Sequence, residues 1–189
     1  MMSVTFHLLA AAVTGIFTDL LLMFLLKQKR ISSSMILSVL AMLILYKTFG
    51  EEVQVIKGFL FAQILIFAGY YDVKTKTIPD ILHVLIILTA FINLDLLQSI
   101  LGFLIVPVPF LIPALAKSNG VGGGDVKLMA ACGFLLGIKG GFTAGIIGLL
   151  LAVIINSVYY KVINKDKNIS FALAPYLGMG CFAAYLNLF

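Results

Sequence analysis

Charge is what this sequence has least of. Only 11% of its 189 residues are Asp, Glu, Lys or Arg, against 62% that are hydrophobic. A soluble domain of this length could not cover its surface with so little charge, so the chain reads as a membrane protein. Cysteine is almost as scarce. Cys132 and Cys181 each sit inside an apolar run, 49 residues apart. That excludes a four-thiolate zinc site, argues against a structural disulfide, and leaves both as small packing residues. No linker, low-complexity stretch or internal repeat divides the chain, so residues 1–189 read as one membrane domain, with two helices in 1–50 and six in 51–189.

What is present is a series of apolar runs. A spanning helix needs roughly 20 apolar residues to cross a hydrocarbon core about 30 Å thick. Runs of that kind fall at about 4–26, 31–46, 53–72, 80–96, 98–116, 125–138, 141–160 and 171–188. The expected fold is all-α and polytopic, with about eight transmembrane helices. The sixth run is short, which fits a tilted or sheltered helix, or one joined to the glycine loop before it. The first run has no basic residue ahead of it, which fits an uncleaved span better than a signal peptide.

The net charge of +5 does not indicate a nucleic-acid partner, because the basic residues sort by loop rather than cluster on a face. Lys27, Lys29, Arg30, Lys74, Lys76, Lys117, Lys127, Lys161, Lys165 and Lys167 follow the odd-numbered runs. Only Lys47, Lys57 and Lys139 fall on the other side. By the positive-inside rule the ten lie in the cytoplasm and both termini lie outside, in a cytoplasmic (inner) membrane. Lys74, Lys76 and Lys127 could also hold an acidic patch or meet membrane lipid phosphates.

Glycines at 137, 141, 145 and 148 suit close helix packing. Pro107, Pro109 and Pro113 should bend or break the fifth run, since each lacks a backbone donor.

The acids carry the most information, because a carboxylate near hydrocarbon must be paired, protonated or wet. Glu51, Glu52, Asp95 and Asp166 read as solvated loop charge. Asp19 lies about 10 Å inside its span and needs a partner or a proton. Asp72 closes the third run, and Pro79 and Asp80 open the fourth, with proline at a first-turn position. Asp125 opens the sixth after Gly122, Gly123 and Gly124. His83, three residues after Asp80, fits a polar contact at the helix mouth better than a metal site, and no metal or other cofactor is expected.

Each acid has a structural reading: Asp125 as a helix N-cap, Asp72 as the charge marking a helix end, Asp80 as a first-turn acid. The chemical reading joins Asp72 and Asp125, at ends of different helices on one membrane face. Two close carboxylates in low dielectric cannot both ionise easily, so one can activate water while the other donates a proton. A glycine loop would let backbone approach a bound peptide.

The residues DVKTKTIPD (72–80) and GGGDVKL (122–128) together resemble the type IV prepilin peptidases, members of the GxGD membrane aspartyl proteases. FALAPYLGMG (171–180) is similar to that family's last-helix motif around Pro175, and the resemblance covers about residues 54–188. It implies a peptidase core in 51–189 that removes the basic leader of type IV pilin-like precursors at the cytoplasmic face. It also implies Asp72 and Asp125 as the catalytic pair. Gly122, Gly123, Gly124, Lys127, Pro79, Asp80 and Pro175 would shape the site or bind substrate. The four-cysteine loop of the bifunctional, methylating members has no counterpart in the KQKR that comes after the first run, which implies a short, peptidase-only form. The family's usual IPN is IPD here, adding Asp80 as a third carboxylate. A presenilin-like protease fits less well, because Pro113-Ala114-Leu115 precedes the glycine loop. A small proton- or cation-coupled transporter using Asp19, Asp72 and Asp125 is the reading from another class.

Overall fold

A computed structural model describes residues 2–27, 33–50, 53–116, 122–163 and 171–187. Lys29, Arg30, Glu51, Glu52, Lys117, Lys165, Asp166 and Lys167 lie outside the described residues. The described chain is all-helical: α1 (Met2–Leu26), α2 (Ser34–Phe49), α3 (Val53–Thr75), α4 (Asp80–Ala90), α5 (Leu96–Ile105), α6 (Val108–Ala116), α7 (Gly123–Ile163) and α8 (Ala174–Leu186). Four segments are long and apolar enough to cross a membrane: Thr5–Leu26, Val53–Thr75, Leu96–Leu115 and Gly123–Tyr159.

The helices depart from the apolar runs in two places. The run at 98–116 is split at Val106 and Pro107 into α5 and α6, while Pro113 is accommodated inside α6. The missing donor at Pro107 ends one helix, and its carbonyl starts the next by accepting from the Phe110 and Leu111 amides. The runs at 125–138 and 141–160 form one element, α7, whose helical geometry breaks at Gly137 (φ 70°, ψ −175°).

The break at Gly137 reverses the chain. A Cβ placed on Gly145 would lie 3.5 Å from the Met129 methyl carbon, yet residues sixteen apart in a straight helix are about 24 Å apart. Val106 likewise lies against both Gly133 and Gly141. The two halves of α7 therefore run side by side as a hairpin with Gly137 at its tip. Its backbone conformation is open essentially to glycine alone. Gly137→Ala is expected to lower stability by about 1–3 kcal/mol, read as a fall in the thermal unfolding midpoint in detergent. An unchanged midpoint would mean that the tip tolerates a side chain.

Helix α8 lies at the centre, packed on α3 and on both halves of α7. Gly148 sits against Leu177, Gly58 against Tyr185, and Leu65 against Gly178. The Tyr185 hydroxyl donates to the Gln54 carbonyl at 2.7 Å. Helix α3 is antiparallel to α8, so the C-terminal end of α3 meets the N-terminal end of α8. Cys132 and Cys181 meet across α7 and α8, both fully buried thiols.

Two isolated polar groups find their places in this packing. Asp19 is buried between α1 and α2, where Ser34 donates its hydroxyl proton to the carboxylate. Thr18 donates in turn to the Ser34 oxygen at 3.1 Å. Lys57, read from the sequence as a loop charge, is instead buried in the first turns of α3. Its ammonium donates to the Ala90 and Asn93 carbonyls at 3.4 and 3.3 Å, satisfying the C-terminal end of α4.

Candidate active site

Asp72 occupies the last turn of α3. That helix stops when Lys76 adopts a left-handed conformation (φ 55°) and donates its amide to the Asp72 carbonyl at 2.8 Å. The Asp72 side chain is only 6% exposed. It does not simply mark the end of a span. Its Oδ2 accepts a hydrogen bond from the Ala174 amide at 3.1 Å, 102 residues away.

The sequence around Ala174 explains that bond. Helix α8 begins with proline in its first turn, and its N-cap residue is Leu173, which has no side-chain acceptor. The first amides of a helix need an acceptor from somewhere. Asp72 supplies it from α3, and Gly69, one turn earlier, makes room for it: a Cβ there would stand 3.4 Å from the Pro175 Cα. Pro175 therefore contributes position, fixing where α8 starts against α3. Ala174 is the site residue that sequence reasoning missed. The available signal was a helix-starting proline with no Ser, Thr, Asp or Asn before it.

Asp125 is the third residue of α7, so it is not the N-cap. The Gly122 carbonyl accepts from the Asp125 and Val126 amides at 3.0 and 3.3 Å, which places Gly122 at the cap. The Asp125 side chain folds back toward Gly122, where an added Cβ would lie 3.1 Å from Oδ2. Oδ1 is buried, with no hydrogen-bond partner among the described residues. Asp72 and Asp125 lie within electrostatic reach of each other at the same end of the bundle. The three glycines differ in surroundings. Gly124 packs on Ile78, and a Cβ added to it would lie 3.4 Å from the Ile78 Cβ, whereas a Cβ on Gly123 would meet none of the described residues within 4 Å.

The segments carrying the two aspartates are tied together by more than Gly124 and Ile78. Pro79 is the N-cap of α4 in extended conformation (φ −60°, ψ 135°), one position earlier than a first-turn placement, and its carbonyl accepts from Leu82 at 3.0 Å. This sets Asp80 at the mouth of α4, where the Lys127 ammonium donates to its Oδ1 at 2.8 Å. His83 is buried one turn below, with Nδ1 3.6 Å from Asp80. The ion pair joins α4 to α7 across the exposed rim of the site. Being exposed, it contributes to register more than to stability.

The site holds two carboxylates within electrostatic reach of one another, one bound to a helix N-terminus. Asp19, which a proton path would need in line with them, is tied instead to Ser34 between α1 and α2.

Comparison with known proteins agrees with the resemblance in the motifs. Residues 59–160 match the type IV leader peptidase family, a stretch that contains Asp72, Asp80, Gly122–Gly124, Asp125 and Lys127 and ends before Pro175. Over 146 residues the chain is 29% identical to a Bacillus subtilis (strain 168) protein described as prepilin leader peptidase/N-methyltransferase, covering 73% of this chain and 58% of that relative. The match thus spans less than two thirds of the relative's length. No solved structure matches the chain.

Proposed function

The chain belongs to the type IV leader peptidase family, and from that membership and the paired aspartates we propose that it is a membrane aspartic endopeptidase. Its substrates are type IV pilin-like precursors, from which it removes the basic leader. The observation that supports the proposal is that Asp72 and Asp125, 53 residues apart in sequence, lie within electrostatic reach of each other.

In the proposed mechanism the two carboxylates divide the work. The Ala174 amide and the N-terminus of α8 favour negative charge on Asp72. Asp72 therefore takes the proton from the attacking water. Asp125, whose Oδ1 has no donor among the described residues, carries a proton to the scissile carbonyl and stabilises the developing oxyanion. As the C–N bond breaks, the proton gathered by Asp72 goes to the leaving nitrogen and Asp125 takes a proton back from the tetrahedral diol. Gly123, where a Cβ would meet none of the described residues within 4 Å, gives the peptide backbone its way in.

The proposed setting is a cytoplasmic membrane crossed by about eight helices, counting α5 with α6 as one crossing and the α7 hairpin as two, with both termini outside and the aspartates facing the cytoplasm. The ten-to-three distribution of Lys and Arg supports that orientation. Basic lysines at the aspartate end can also contact anionic lipid headgroups.

The test is direct. Purified protein in detergent is incubated with a pilin-like precursor, and the products are weighed by mass spectrometry beside Asp72→Asn and Asp125→Asn. Release of an intact leader by the parent and by neither variant is expected. Undiminished cleavage by either variant would remove that residue from the pair.

A further inference from the structure

His83 is a buried polar side chain beside the carboxylate pair that the proposed mechanism does not use. Its side chain is 9% exposed, and neither ring nitrogen completes a hydrogen bond among the described residues. A neutral imidazole carries one N–H, and a buried donor without an acceptor is costly. Two acceptors stand beside the ring. One is the Asp80 Oδ1, 3.6 Å from Nδ1, which is beyond hydrogen-bond length. That oxygen lies on the exposed rim and already accepts from Lys127 at 2.8 Å. The other is the backbone carbonyl of Gly124, on α7, one residue before Asp125.

Gly124 is where an outside anchor has the most to do. Asp125 follows three glycines, and no other residue type leaves a backbone so free. The hydrogen bonds that order this segment come from within it, where the Gly122 carbonyl accepts from the Asp125 and Val126 amides. Ile78 packs on Gly124 from outside, but apolar contact is not directional. A hydrogen bond to the Gly124 carbonyl is directional, and a carbonyl has a second lone pair for it beyond the one its helix uses.

We propose that His83 is a positioning residue for Asp125, donating from its imidazole to the Gly124 carbonyl and so fixing the glycine lead of α7 against α4. The proposal rests on the reading of Asp125 as one of the catalytic pair. The imidazole acts through the peptide unit that joins Gly124 to Asp125. The Gly124 carbonyl and the Asp125 Cα lie in one peptide plane, so holding the carbonyl sets the direction in which the carboxylate leaves the backbone.

Two variants and two measurements test this. His83→Phe keeps a ring and removes the donor, whereas His83→Gln gives up the ring and keeps an N–H. On the precursor, kcat should fall about tenfold in His83→Phe, the size of one net hydrogen bond, with KM little changed, and His83→Gln should recover most of the loss. A parent-like kcat in His83→Phe, or no recovery in His83→Gln, would overturn the proposal, since the ring would then serve packing alone. The second measurement needs no turnover. Amide hydrogen exchange is followed by mass spectrometry over peptides covering 122–128, in detergent. Exchange there should quicken about tenfold in His83→Phe and return toward the parent rate in His83→Gln. Unchanged exchange in His83→Phe, or quickening spread evenly over α3, α7 and α8, would overturn it. If the parent protein cleaved no precursor, the proteolytic reading would fail, while the exchange rates would still decide whether His83 holds this segment.

Discussion

Asp72→Asn should abolish leader cleavage in a protein that still folds, whereas Asp72→Ala should lose both activity and stability. The distinction comes from the two tasks of one side chain. Toward the substrate, Asp72 is the proposed base, and loss of a positioned general base costs about 10²–10⁴ in rate. Toward the fold, its Oδ2 is the acceptor for the Ala174 amide at the buried start of α8. Asparagine keeps an acceptor oxygen of nearly the same reach, so the helix start remains satisfied. Alanine leaves that buried amide without its acceptor, which costs about 1–3 kcal/mol. Initial cleavage rates and unfolding midpoints in detergent, measured on the same preparations, separate the two effects. Equal midpoints for the asparagine and alanine proteins would show that the amide does not depend on the carboxylate.

The acids were legible in the sequence because a carboxylate in so apolar a chain must have a reason to be there. Asp72 and Asp125 stood out beside a glycine loop and at helix ends, and in the fold they lie within electrostatic reach of each other. Their supporting contacts were harder to read. Ala174 contributes only a backbone amide, which every residue but proline has, so nothing in its identity marks it. Nothing in the sequence singles out Ser34, and only the facing of α1 on α2 makes it the partner of Asp19. Lys57 was assigned to a loop by its charge, yet its long stem lets a buried residue reach the open carbonyls at the end of α4. Cys132 and Cys181 illustrate the same limit: sequence separation says little about helices that fold back on one another. The reversal at Gly137 was visible as two apolar runs, but not as one nearly continuous helical element. The prolines announced the break between α5 and α6, and Pro107 is where it falls.

Gly180→Ala is expected to be among the most damaging single methyl groups that could be added to the core. Gly180 lies where α8 crosses the second half of α7. A Cβ there would overlap the Ala144 carbonyl oxygen and stand 2.7 Å from the Gly148 nitrogen. These are backbone atoms in a helix, so neither can rotate aside. The crossing is tight from the other side as well, because a Cβ on Gly148 would lie 2.8 Å from the Leu177 Cα. The two helices would have to separate, at a cost of about 3 kcal/mol, toward the upper end for overpacking. Gly145→Ala is the informative contrast. Its new methyl would meet the Phe110 ring at 3.2 Å, and a side chain can shift, so a smaller loss is expected. The consequence for activity comes from the rigidity of α8. Six residues, about 9 Å of helix, connect Gly180 to Ala174, so displacing the crossing carries the α8 N-terminus away from Asp72. A misplacement of about 1 Å can cost on the order of 100-fold in rate. Gly180→Ala should therefore lower kcat along with the unfolding midpoint, and the rate loss should persist at temperatures where the variant is fully folded. Normal turnover in the folded variant would separate the α7 and α8 crossing from the placement of the carboxylates.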